Sequence, residues 1–238
     1  MSKKIFALDP GHGGKDPGAT GSGIKEKDIV LDICRRVQKY IAEHYAGIDC
    51  RLTRPADSFI SLTDRTKKAN QWNADCFVSV HVNSASSRAA NGFESYIYTT
   101  DGKTTKSYAL QQKLHPALAE LWTEKGRKDR GRKKENFAVI REFKGASVLV
   151  ELGFIVNQQD NKLLRDETFL QTNAEALADA VASYLDADKS KNKSKAAIYR
   201  VKVNGRQVGA YAEAENVGRA VMKAINSGES VINVELIQ

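Results

Sequence analysis

The sequence predicts a three-layer α/β fold with a mostly parallel sheet, followed by a small C-terminal α+β unit of ββαβ order. Three observations carry this prediction. Short apolar runs alternate with helix-length segments through residues 1–186. Two of the runs, 76–82 and 147–152, are apolar on both faces, as strands at the centre of a covered sheet are. Beyond residue 195 the pattern changes to strict alternation around an Asn-Gly pair, a hairpin signal.

In order along the chain, the first strand is Ile5-Phe6-Ala7-Leu8, and it runs into the glycine-rich turn Asp9-Pro10-Gly11-His12-Gly13-Gly14. A helix is predicted over 25–44, where Val30, Ile33, Cys34, Val37 and Ile41 recur on one face. Residues 49–53 read as a strand. Ser61 is the expected N-cap of a second helix, with Asp64 in its first turn. Strands over 76–82 and 92–99 follow, then a long helix over 106–125, a short strand over 137–140 and a central strand over 147–152. Helices over 158–165 and 168–185 close this part; Leu170, Ala174, Leu177, Ala178, Val181 and Leu185 form the inner face of the last.

These elements define a catalytic-sized domain over 1–186, a lysine-rich linker over 187–195 and a small unit over 196–238. In the last, 199–203 and 207–211 flank Asn204-Gly205, and Val217, Ala220, Val221, Ala224 and Ile225 mark an amphipathic helix. A unit this short is near the lower limit for burying a core of its own. We therefore expect it either to pair with a second copy of itself as a homodimer or to dock on the first domain.

The formal charge of +8 is concentrated in two places. Residues 125–134 read KGRKDRGRKK, and residues 186–195 read DADKSKNKSK. Each is expected to be solvated, and together they favour a polyanionic partner. No zinc-finger or RNA-binding motif accompanies them, and aromatic residues are not interleaved with the basic run, so nucleic acid is not the expected partner. No stretch approaches the ~18–20 apolar residues of a membrane span, so membrane insertion is not expected. The N-terminal Met1-Ser2-Lys3-Lys4 carries no apolar leader, so we expect synthesis in the cytoplasm without a signal peptide. Cys34, Cys50 and Cys76 sit in apolar patterns without metal-site spacing and read as buried reduced thiols.

The chemistry centres on the strand ends. His81 lies at the end of one predicted strand and His12 in the turn after another, where an α/β sheet places its active site. A hydrolytic zinc centre needs three nitrogen or oxygen donors and an open position. Glu26, in the first turn of the first long helix, is the candidate third donor, although a glutamate there is by itself an ordinary surface residue. Glu151 interrupts the apolar run Ser147-Val148-Leu149-Val150 and Leu152-Gly153-Phe154, so it needs a partner or a proton. It is either the partner of a core arginine or a general base beside the metal. The glycine-rich turn matches neither the P-loop order nor the dinucleotide fingerprint. His44 and His115 read as ordinary surface or boundary residues on helices.

Several blocks together resemble the zinc-dependent N-acetylmuramoyl-L-alanine amidases of the amidase-3 family, found in autolysins and phage endolysins. They are DPGHGGKDPGATG at 9–21, Glu26-Lys27, TRPAD at 53–57, SLTDRTKKAN at 61–70, SVHVNS at 79–84, RGRKKENFAVIRE at 130–142 and VLVELGFIVNQQD at 148–160. The resemblance covers about residues 4–185, and departs from the family where Ser147 follows Gly145-Ala146 in place of a frequent proline. It implies a six-stranded, mixed, mostly parallel sheet, zinc ligands at His12, Glu26 and His81, and a catalytic glutamate at Glu151. It also implies hydrolysis of the amide between N-acetylmuramic acid and L-alanine in peptidoglycan, lysing the cell wall, with Asn83 and Ser84 as candidate substrate contacts. The C-terminal unit resembles a half-length sporulation-related repeat that binds peptidoglycan, and the charge then suits anionic wall polymers. Action on the wall would follow holin-type permeabilisation or mother-cell release. Two other readings are a zinc peptidase cutting within the stem peptide and a wall-binding protein without activity.

Overall fold

The computed structural model describes residues 3–189, 199–211, 214–229 and 231–236. The chain divides into two units, Met1–Ser190 and Lys191–Gln238. Residues 190–198, which take in most of the linker expected over 187–195 and the start of the unit expected over 196–238, lie outside the described residues.

The first unit is built on six strands: β1 (Lys4–Pro10), β4 (Ile48–Leu52), β5 (Cys76–Asn83), β6 (Phe93–Tyr98), β7 (Asp129–Glu135) and β8 (Ala146–Phe154). A two-residue pair, β2 (Thr20–Gly21) with β3 (Ile24–Lys25), forms a separate ribbon that the sequence pattern is too short to reveal. The sheet order is β4-β1-β5-β8-β6-β7. The first four strands run parallel, β6 runs antiparallel to β8, and β7 follows β6. This is the six-stranded, mixed, mostly parallel sheet that the resemblance implies.

Helices cover both faces unequally. On one face lie α1 (Glu26–His44), α3 (Lys106–Glu124) and α6 (Glu167–Tyr184), whose apolar stripes close the larger core around Phe6, Val78, Val80, Phe93, Val148 and Trp122. Among the described residues the other face carries α2 (Leu62–Gln71) and the single turn α4 (Ala138–Arg141), over Ala7, Phe77 and Leu149. A further short helix, α5 (Gln158–Leu163), follows β8. The predicted cap forms: Ser61 accepts a hydrogen bond from the Asp64 amide at the start of α2.

Two expectations fail in the same stretch. Residues 137–140, expected as a strand, belong to α4, where Val139 and Ile140 turn inward onto Phe77 and Phe143. The strand lies earlier, in the basic run expected to be a solvated loop: Asp129–Glu135 pairs along one side with β6 at the sheet edge. Charged side chains suit that position, because they guard the free edge against pairing with other chains. His115 is also misplaced by the sequence reading. It is buried between β6 and β7, with Nδ1 on Ser95 Oγ at 2.8 Å and Nε2 on Asp129 Oδ1 at 2.9 Å. His44 is a boundary residue as expected, stacked on Tyr40 with ring centroids 4.1 Å apart. The three cysteines are buried and free.

The second unit contains β9 (Tyr199–Val203), β10 (Arg206–Tyr211), α7 (Ala214–Asn226) and β11 (Ile232–Leu236), with sheet order β10-β9-β11. Asn204 and Gly205 both take positive φ, 49° and 79°, as the hairpin turn requires.

The end of β1 is fixed by a buried ion pair on the thinner face. Asp9 and Arg65 are 0 % and 2 % exposed, with Arg65 Nη1 donating to Asp9 Oδ1 at 2.9 Å. Thr53 and Ser79 also donate to the Asp9 carboxylate. Burial alone would raise its pKa, but Arg65 and the two hydroxyls outweigh burial and hold it below the usual range. A depressed folded-state pKa stabilises the fold above the ordinary aspartate value and is lost as pH falls below about 4. Arg65→Met leaves the carboxylate buried without its cation, which should cost about 3–5 kcal/mol near neutral pH. In urea unfolding the gap to wild type should narrow on acidification, as the orphaned Asp9 takes up a proton. A gap that stays constant between pH about 7 and about 4 would show that the pair does not work this way.

Candidate metal centre

His12, Glu26, His81 and Glu151 meet at the carboxyl ends of three adjacent strands. β1 delivers His12 in the turn beyond its last residue, β5 carries His81, and β8 carries Glu151 directly opposite His81 in the parallel register. Glu26 opens α1 and is 3 % exposed. Its carboxylate turns back to the sheet, held at Oε1 by the Val82 amide and at Oε2 by the Ala19 amide, 2.9 and 2.8 Å away.

The three donors converge on a point. Glu26 Oε1 lies 2.9 Å from His81 Nδ1 and 3.2 Å from His12 Nε2. One ligand atom from each residue falls within 4.8 Å of the others, the single such group among the described residues. His12 Nδ1 meets Asp16 Oδ2 at 2.8 Å, so a proton held there leaves Nε2 as the free donor. Burial pushes the Glu26 carboxyl up, but the bonds from His12 and His81 prevail and keep it ionised. For His12 burial lowers the pKa, while Glu26 and Asp16 together raise it further. Two imidazoles and one ionised carboxylate are the donor set of hydrolytic zinc sites. The residues fit such an ion.

The glycine-rich turn acquires its reason here. A Cβ on Gly11 would sit 2.3 Å from the His81 ring, and one on Gly18 would meet Glu26 Oε2 at 2.6 Å and the His12 ring at 2.7 Å. The glycines let two imidazoles and a carboxylate close on one another. His12 itself adopts φ 59°, a left-handed conformation that a non-glycine residue holds only when its surroundings impose it. Two buried arginines do so. Arg54 donates to the carbonyls of Pro10, Gly11 and Lys27, and Arg65 to those of Pro10 and His12, at 2.6–2.9 Å. Lys27, beside Glu26, joins Asp57 at 2.7 Å, and both hold the backbone of Gly14.

Glu151 is different. Its Oε2 is shut from solvent and has no hydrogen-bond partner among the described residues. Among the described residues no arginine pairs with it. Burial raises its pKa well above the ordinary value, and the Glu26 and Glu94 carboxylates raise it further. Asn83 Nδ2 donates to Glu94 Oε1, and Ser84 is exposed.

Sequence reasoning did not single out Arg54, Arg65, Asp16 or Glu94. The two arginines stood inside the TRPAD and SLTDRTKKAN blocks, where nothing local distinguishes a buried arginine from a surface one.

Comparison with known proteins bears on this geometry. The family model described as N-acetylmuramoyl-L-alanine amidase (Amidase_3) matches residues 6–183. A sporulation-specific N-acetylmuramoyl-L-alanine amidase of Bacillus subtilis is 37% identical over 223 residues, covering 92% of this chain and 84% of that protein. An endolysin of Bacillus phage SPP1 is 41% identical over 189 residues, 79% of this chain and 68% of the phage protein. Among solved structures, the catalytic domain of CwlV, an N-acetylmuramoyl-L-alanine amidase from Bacillus (Paenibacillus) polymyxa var. colistinus, superposes with TM-score 0.72 at 35% identity. It covers 78% of this chain and 99% of its own. The fold, the converging donors and these matches agree: the chain belongs to the N-acetylmuramoyl-L-alanine amidase family, Amidase_3.

Proposed function

We propose that this chain is a zinc hydrolase that cleaves the amide between the lactyl group of N-acetylmuramic acid and L-alanine of the peptidoglycan stem, and so lyses the cell wall. The observation that supports this reading most is the unpartnered, buried Oε2 of Glu151 beside three converging metal donors. His12, Glu26 and His81 would hold the ion. When bound, zinc polarises the scissile carbonyl and acidifies water. Glu151 accepts the proton of the attacking water and returns it to the departing L-alanine amine. Asp16 fixes the His12 ring through Nδ1, and Arg54 and Arg65 hold the loop that carries it.

The second unit, with the described strands β9–β11 and helix α7, suits a wall-binding module over 196–238 whose ligand is peptidoglycan or an anionic wall polymer. Its exposed Val208, Met222, Ile225, Val231 and Val234 favour self-association through this unit.

Digestion of purified peptidoglycan should release stem peptides with a new L-alanine N-terminus, and a chelator should stop it. A new N-terminus deeper in the peptide would indicate a peptidase and overturn the assignment. Glu151→Gln should retain zinc yet lose about 10²–10⁴-fold in rate. A variant cutting walls at near wild-type rate would remove Glu151 from the reaction. Gly11→Ala, which forces a methyl group into the His81 ring, should weaken zinc affinity by about 10–100-fold with the circular dichroism spectrum preserved. Unchanged zinc affinity in a competition titration would contradict the role given to the glycine.

A further inference from the structure

The active edge of the sheet does not end at Glu151. On the neighbouring β6, Glu94 is the antiparallel partner of Glu151 and is 2 % exposed, so the two carboxylates project from the same face. All the acceptor capacity of Glu94 is used. Asn83 Nδ2 and the Tyr96 hydroxyl donate to Oε1, and Arg130 Nε, at 2.8 Å, and Lys133 Nζ donate to Oε2. Arg130 and Lys133 come from β7, where the ladder with β6 shifts register between Phe93 and Ser95. Such a bulge re-aims side chains. The Arg130 guanidinium also lies 4.7 Å from the centre of the Phe154 ring.

Two cations on one carboxylate leave one positive charge over. Arg130 and Lys133 keep 30 % and 36 % side-chain exposure, and the Arg130 Nη groups have no hydrogen-bond partner among the described residues. A guanidinium seated through Nε and open at both Nη atoms is a fork prepared for a second carboxylate.

We propose that Arg130 and Lys133, seated on Glu94, form an anion subsite for the stem peptide. It would receive the carboxylate of the residue that follows the scissile L-alanine. Along the edge the order is His12, His81, Glu151, Glu94, Arg130, and in this proposal the departing peptide lies along it, toward β6 and β7. Adjacent strands are about 4.8 Å apart and an extended residue spans about 3.4 Å, so the Arg130 guanidinium, seated on Glu94 one strand beyond Glu151, falls one to two residues past Glu151 along such a peptide. In peptidoglycan the second residue is a γ-linked D-glutamate whose α-carboxyl is either free or amidated. The subsite prefers the free acid. This inference rests on the amidase reading above.

The test compares two muramoyl peptides that differ only there, free D-glutamate against its α-amide, with the zinc-loaded full chain. Wild type should have the lower KM for the acid. Arg130→Gln should raise KM for the acid about tenfold more than for the amide, with kcat moving little, and Arg130→Lys should fall between. If Arg130→Gln does not fold, Lys133→Gln supplies the same comparison from an edge strand and should narrow the acid-over-amide preference. Equal effects on both substrates, or loss confined to kcat, would overturn the subsite and leave the amidase reading intact. Wild type cleaving neither substrate would overturn the amidase reading instead.

Discussion

The structure turns on the ion pair between Asp9 and Arg65. It lies where β1, the second strand of the sheet, stops being a strand and becomes the loop of His12. Four elements meet at Asp9: β1 itself, Thr53 just after β4, Ser79 on β5 and Arg65 on α2. The same guanidinium reaches the carbonyls of Pro10 and His12, so one buried cation joins the core to the loop. Arg54 completes the hold from the other side through carbonyls alone. A buried ion pair is weak evidence for stability, because desolvation offsets much of the attraction. Its effect here is positional. It keeps His12 in a backbone conformation that nothing in its own sequence favours.

Around that anchor the sheet edge concentrates carboxylates in different electrostatic states. Asp9 has an arginine and two hydroxyls, Glu26 has two imidazoles and two backbone amides, and Glu94 has two cations, a phenol and an amide. All three are held below the usual range. Glu151, flanked by two of them, has none of these and is pushed the other way. Neighbouring acids whose surroundings drive their pKa values apart divide naturally into fixed anions and a proton carrier. The thin cover on this face, one ten-residue helix and one turn, permits the arrangement, since the opposite face carries three long helices.

Much of this was legible in the sequence. Strand order cannot be read from periodicity, but the apolar runs at 76–82 and 147–152 placed His81 and Glu151 on central strands. The glutamate in an apolar strand and the glycines around His12 were signals because each broke a local rule. What stayed hidden was decided by tertiary contacts. Arg54 and Arg65 look like surface arginines until the carbonyls they meet are known. His115 looks like a helix surface residue until β7 supplies Asp129 and β6 supplies Ser95. The basic run reads as solvent-exposed because an edge strand needs hydrogen bonds on one side only and tolerates charge on the other.

The central claim is that His12, Glu26 and His81 hold zinc while Glu151 stands beside it as the proton carrier. Crystals of the zinc-loaded protein, measured on both sides of the zinc absorption edge, test it directly. The account predicts one anomalous peak bonded to His12, Glu26 and His81, with Glu151 outside the coordination sphere. A peak located elsewhere, or Glu151 bound to the metal as a ligand, would contradict it.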